Sequence, residues 1–161
     1  MPGWGPMASR MIPKADISDT RNPEGVREHL QSNPGSSVLV VEDDPAFLFI
    51  LSEALREEGF EVLSATNGAE ALALYRANAD EISLAVVDVV LPGMDGLATA
   101  TEMRKIDENV FFLFMSGYGL QGIEELGVNI EDIPNADFFQ KPFAFKDMLG
   151  RIRILVSPHQ T

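Results

Sequence analysis

Val38-Leu39-Val40-Val41-Glu42-Asp43-Asp44-Pro45 is the stretch that decides the fold. Four apolar residues in a row, three of them β-branched, mark a short strand buried on both faces. The run stops at three carboxylates and a proline. Asp44 suits a helix N-cap and Pro45 the first helical position, where a missing N–H costs nothing. A helix is therefore predicted over 45–58, ending at Gly59.

The same cycle repeats downstream. Strands are expected at 60–65, 84–88, 110–116 and 136–140. They alternate with helices at 69–77, 97–106, 120–126 and 145–156, punctuated by Asn67-Gly68 and by a loop holding Pro92 and Gly93. Five strictly alternating βα units predict an α/β fold, a doubly wound parallel sheet with helices on both faces. On the wheel of the first helix, Phe47, Ile50, Leu51, Ala54 and Leu55 share one face, and Phe49 projects among Glu53 and Arg56 on the other.

Upstream, residues 1–36 hold five of the ten prolines and end in Ser32-Asn33-Pro34-Gly35-Ser36-Ser37, the composition of a flexible tail and linker. A short helix over 23–31 is compatible with it. His29 lies there and is read as a solvated side chain rather than a phosphoryl carrier. Residues 37–156 form the domain and 157–161 a short tail. The chain has 161 residues, 45% of them hydrophobic, and no cysteine, which excludes disulfides, thiolate catalysis and Cys-ligated metals. No apolar run approaches the roughly 20 residues of a membrane span, and 1–11 lacks the apolar core of a signal peptide, so a cytoplasmic protein is expected. The first 36 residues carry four basic and four acidic side chains, so the net charge of −13 belongs to the rest. Such an excess repels phosphate backbones, which argues against nucleic-acid binding and makes divalent cations the better charged ligand.

In open parallel sheets the site lies beyond the carboxyl ends of the strands. There the sequence places Glu42 and Asp43, then Asp88, then Ser116, then Lys141, neighbours if the strand order is 2-1-3-4-5. Three converging carboxylates repel one another unless a cation sits among them or one stays protonated. An oxygen-lined gap of this kind suits Mg²⁺. With the charge neutralised, one carboxylate can attack a phosphoryl group, and Lys141 and Ser116 can take the remaining phosphoryl oxygens.

At these residues the chain resembles the receiver domain of two-component response regulators, over about 37–156. The resemblance rests on Val40-Val41-Glu42-Asp43-Asp44-Pro45, Val87-Asp88-Val89-Val90-Leu91-Pro92-Gly93-Met94-Asp95-Gly96, Met115-Ser116-Gly117 and Lys141-Pro142-Phe143, in that order. It implies the flavodoxin-like sheet with strand order 2-1-3-4-5. It implies Asp88 as acceptor of a phosphoryl group from a histidine kinase or histidine phosphotransfer protein, Asp43 as a direct Mg²⁺ ligand and Glu42 as one acting through water. Val90 would give the metal its backbone carbonyl. Ser116 falls on the Thr/Ser position, Lys141 on the family's lysine and Phe138 on its switch aromatic. The Lys141-Pro142 bond would be cis. The resemblance further implies a phospho-acceptor switch that assists its own phosphoryl transfer and loss rather than an enzyme with a separate substrate. Its output would be protein–protein contact through the face of helix 4, strand 5 and helix 5, either as a single-domain regulator or as a module of a hybrid kinase. Phe49, exposed beside the acidic residues, would meet the donor.

Two strings invite other readings. Asp95-Gly96 reads as a cap of the third helix rather than a site. Gly117-Tyr118-Gly119-Leu120-Gln121-Gly122 matches G-x-G-x-x-G and would make the protein a nucleotide- or flavin-binding enzyme. It follows the fourth strand instead of the first, and it leaves Glu42, Asp43, Asp88 and Lys141 without a task. An aspartyl phosphatase would want an acid at position 90, where valine stands.

Overall fold

The computed structural model describes residues 37–156, so the tail, His29 and the helix expected over 23–31 lie outside the described residues. The elements are β1 (Ser37–Val41), α1 (Pro45–Glu57), β2 (Glu61–Ala65), α2 (Gly68–Asn78), β3 (Ile82–Asp88) and α3 (Gly96–Ile106). They continue with β4 (Phe111–Ser116), α4 (Leu120–Glu124), a 3₁₀ turn (Ile130–Asp132), β5 (Ala136–Gln140) and α5 (Phe145–Leu155). The strands form one parallel sheet in the order β2-β1-β3-β4-β5. β1, β3 and β4 are buried along their whole length, as continuous apolar runs require when helices cover both faces.

One core lies between the sheet and α1 and α5, built on Val38, Val40, Leu51, Leu55, Met148 and Ile152. The other lies under α2, α3 and α4 and includes Leu39, Val87, Tyr75, Met103, Phe114 and Ile123. Each fully buried large aliphatic contributes about 1.5–3 kcal/mol. The punctuation behaves as its chemistry requires. The Asp44 carboxylate accepts from Ala46 N (3.0 Å) and Phe47 N (3.4 Å), and Gly59 takes φ 98° after α1. Asp95 caps α3 through Ala98 N (2.7 Å).

Three expectations are corrected. Ile50 does not face the core: it is 50% exposed, and Leu48, Leu51 and Leu55 face inward with Ser52. Ser52 Oγ lies 2.9 Å from Ser64 Oγ of β2, so Ser52 can take a buried place on the packed face with its hydroxyl satisfied while Ile50 turns outward. Asn67-Gly68 is not a free turn. Asn67 Oδ1 caps α2 by accepting from Glu70 N (2.8 Å), and Gly68 is the first residue of the helix. β3 begins at Ile82, ahead of position 84, because Ser83 is buried within the strand rather than preceding it.

A candidate phosphoryl-acceptor and metal site

Strand register brings the polar residues together. β1 and β3 pair with Val41 opposite Val87, which sets Glu42 level with Asp88. Asp88 lies opposite Met115, and Ser116 lies opposite Gln140, so Ser116 and Lys141 each fall one step past the neighbouring strand's pairing. Parallel alignment thus converts four separated stretches into one rim.

Carboxylate oxygens of Glu42, Asp43 and Asp88 lie within 4.8 Å of one another. Glu42 and Asp88 are buried, at 1% and 6% exposure, whereas Asp43 faces solvent. The Lys141 ammonium reaches into the gap, donating to Asp88 Oδ2 at 2.8 Å and pairing with Glu42 Oε1. Glu42 Oε2 accepts from Asp44 N (3.0 Å), so both of its oxygens are engaged. Asp88 Oδ1 accepts from Val90 N at 2.9 Å. Asp43 is left as the carboxylate open toward solvent.

Desolvation pushes the Glu42 carboxyl up to about 7, partly offset by its hydrogen bonds to Lys141 and the Asp44 amide and reinforced by the Asp88 charge. Burial works against the Lys141 ammonium, but the hydrogen bonds it donates to Asp88 and Glu42 outweigh it and hold its pKa above the usual 10.5. The site therefore has the choice deduced from the sequence: a proton on one carboxylate, or a cation. Hard oxygen donors with one ammonium among three carboxylates fit Mg²⁺.

Ser116 is fully buried at the end of β4, and its Oγ accepts from Tyr118 N (3.0 Å). Phe138 is half-buried on β5 and packs against the core beneath α3 and α4. The Lys141–Pro142 peptide is cis, as expected. Val90 presents its side chain to solvent at 48% exposure, and Tyr118 is 55% exposed nearby.

Two residues of the site escaped the sequence. Phe47, assigned only to the core face, lies under Lys141, whose Nζ is 4.5 Å from the ring centroid. Its ring is held by Phe143 and Phe145, with centroids 5.8 and 5.6 Å away. Gly96, assigned only to a cap, runs so close to the acceptor strand that a Cβ there would lie 2.0 Å from the Asp88 carbonyl oxygen. Gly96 N donates to Val89 O at 2.9 Å. The Gly117–Gly122 string opens a helix of only five residues, and none of its glycines takes a positive φ. It lacks the helix that a dinucleotide cradle uses.

Comparison with known proteins agrees with this geometry. The family model described as response regulator receiver domain matches residues 38–153. The sensor kinase CckA of Brucella abortus is 32% identical over 118 residues, covering 73% of this chain and 12% of the kinase. Sporulation initiation phosphotransferase F of Bacillus subtilis is 29% identical over 120 residues, covering 72% of this chain and 90% of that protein. Several similar transcriptional regulators are matched over about half their length. Among solved structures, response regulator TrrA of Thermotoga maritima in complex with Mg²⁺-BeF superposes with a TM-score of 0.64 at 27% identity, covering 75% of this chain and 99% of that one.

Proposed function

Because this chain belongs to the response regulator receiver domain family, we propose that it is a phosphorylation switch in which Asp88 accepts a phosphoryl group from the phosphohistidine of a histidine kinase or histidine phosphotransfer protein. The observation that carries the proposal is the convergence of Glu42, Asp43 and Asp88 on one another and on Lys141. In the transfer, an Asp88 carboxylate oxygen forms a bond to phosphorus as the phosphorus–nitrogen bond of the donor breaks. The imidazole leaves with that electron pair and takes up a proton. Asp43 and Asp88 would hold Mg²⁺ directly, Glu42 through water and Val90 by its carbonyl, and the ion would neutralise charge between the carboxylates and the incoming group. Lys141 is already bonded to Asp88 and is placed to follow the new negative charge onto the phosphoryl oxygens.

Phosphorylation gives Asp88 a larger, more highly charged group, and Ser116 would turn from the Tyr118 amide to meet it. Phe138 would follow as the switch aromatic and change the surface of α4, β5 and α5, through which a partner protein reads the state. The protein acts on itself rather than on a separate substrate. Phe49 is 65% exposed and Ile50 50% exposed on α1 just past Asp43, an apolar pair that we assign to contact with the helical donor. No helix among the described residues is long and apolar enough to cross a membrane, and we place the domain in the cytoplasm.

The test is intact mass after incubation with a small acyl-phosphate donor. Wild type with Mg²⁺ should gain one phosphoryl group, and Asp88→Asn should gain none. An adduct on Asp88→Asn, or undiminished labelling of the wild type in excess chelator, overturns the proposal.

A further inference from the structure

Beside the acidic site, on the face that carries α3 and α4, runs an open groove of about 550 Å³. Leu97 and Ala98 of α3 form one wall, and Leu126 and Ile133 form the other. Val90 and Tyr118 also line it. Leu126 is 60% exposed, so with Tyr118 and Val90 three large apolar side chains surround a single depression. Singly exposed apolar residues are ordinary on a folded domain, but a grouped set around a groove marks a contact surface.

The charge around the groove narrows the choice of occupant. Between Lys105 and Lys141 the sequence has seven carboxylates and neither lysine nor arginine. Glu124 and Glu125 adjoin Leu126, Glu131 and Asp132 precede Ile133, and all four are exposed. Asp95 lines the groove itself. A fitting ligand has apolar side chains, positive charge and no carboxylate.

Residues 1–14 of the same chain have that composition. They hold Trp4, Met7, Met11 and Ile12 together with Arg10 and Lys14, and no Asp or Glu. The segment is joined to β1 through residues 15–36, which extended would reach about 70 Å. The strand that must be passed to arrive at the carboxyl end of the sheet is only about 17 Å long. Tethering makes docking intramolecular, so a weak contact is populated at any protein concentration.

We propose that residues 1–14 dock in cis into the groove between α3 and the segment that follows α4, a surface whose apolar lining at Leu97, Ala98 and Leu126 matches Trp4, Met7, Met11 and Ile12 in chemistry and whose neighbouring carboxylates, Glu124 and Glu125, complement Arg10 and Lys14 in charge. The groove and the charges carry this independently of any phosphoryl chemistry.

Trp4 is the only tryptophan, so fluorescence excited on the red edge, where Tyr75 and Tyr118 do not absorb, reports on the segment alone. In the full chain its emission should be blue-shifted, and its quenching by acrylamide several-fold weaker, relative to a free peptide of residues 1–20. Leu126→Arg changes an exposed side chain and should restore quenching to the peptide level, as should the double variant Arg10→Glu/Lys14→Glu. Quenching in the wild type equal to that of the peptide overturns the proposal, as does protection that survives Leu126→Arg. Protection that disappears on dilution overturns docking in cis and assigns the groove to a second copy.

Discussion

Replacing Gly96 by alanine tests whether the acceptor aspartate is held by the loop that follows it. A Cβ at position 96 would stand 2.0 Å from the Asp88 carbonyl oxygen and 2.9 Å from both Asp88 C and Val89 Cα. Carbon–oxygen contacts rarely close below about 3.3 Å, so the two backbones must part by more than about 1 Å. Neither can yield cheaply. β3 is buried over its whole length, and the start of α3 is fixed by Gly96 N on Val89 O and Ala98 N on Asp95 Oδ1. Overpacking against backbone belongs at the upper end of the usual range, about 3 kcal/mol. With a urea slope of about 1.5–2 kcal/mol per M for a domain of this size, the midpoint should fall by about 1.5–2 M.

Gly117→Ala is the internal control. It lies in the same rim, its φ is not positive and a Cβ there meets nothing within 4 Å, so stability should change by less than about 0.5 kcal/mol. Urea unfolding followed by far-ultraviolet circular dichroism measures both. Gly96→Ala should also label more slowly with a small phosphodonor under conditions where it remains folded, because relief of the clash moves Asp88 away from Lys141. If Gly96→Ala is as benign as Gly117→Ala, the close approach does not hold the site.

The remaining predictions concern charge, lifetime and docking. Burial raises Glu42 to about 7 from 4.5, so the stability tied to its proton is complete below pH 4.5 and lost as pH rises through 7. In chelator, Glu42→Gln should therefore gain on the wild type across that window, by at most about 3 kcal/mol, and lose its advantage when Mg²⁺ is added; a pH-independent offset in the urea midpoint contradicts this. The side chains two positions past Asp88 and Ser116 are Val90 and Tyr118, neither able to orient a water by a carboxylate or carboxamide, so the phosphoryl group should be lost slowly and Val90→Asn/Tyr118→Glu should shorten its lifetime. Decay of the wild type as fast as that of the double variant, followed in Mg²⁺ after removal of the donor, refutes it. Phe49→Ala should slow transfer from the cognate phosphohistidine donor and leave labelling by a small donor unchanged; equal slowing of both assigns the effect to the pocket instead.

How much of this was readable beforehand depended on whether a feature belongs to one segment or to two. Continuous apolar runs, Asp44-Pro45 and Gly59 act within their own stretch, and the elements formed where those signals stand. Doubly wound parallel sheets take more than one strand order, so 2-1-3-4-5 was legible only through the resemblance to receiver domains; given that order, Glu42, Asp43, Asp88 and Lys141 meet because each stands at the carboxyl end of a neighbouring strand. Where a segment's environment mattered, the local pattern misled. Ile50 is as apolar as Leu48, and which of them turns inward is settled by packing against the sheet, where Leu48, Leu51 and Leu55 are buried and Ser52 meets Ser64 of β2. Ser83 looks like a strand boundary until β3 is seen to be buried through it. Phe47 beneath Lys141 and Gly96 against Asp88 lie further still from any local signal, since an aromatic on a helix face and a glycine after a cap are each explained without the site. Yet these two residues keep the ammonium above a ring and the acceptor strand against its loop. Residue type at a strand end can therefore identify the reacting groups, whereas the residues that aim them become visible only when two distant pieces of chain are laid against each other.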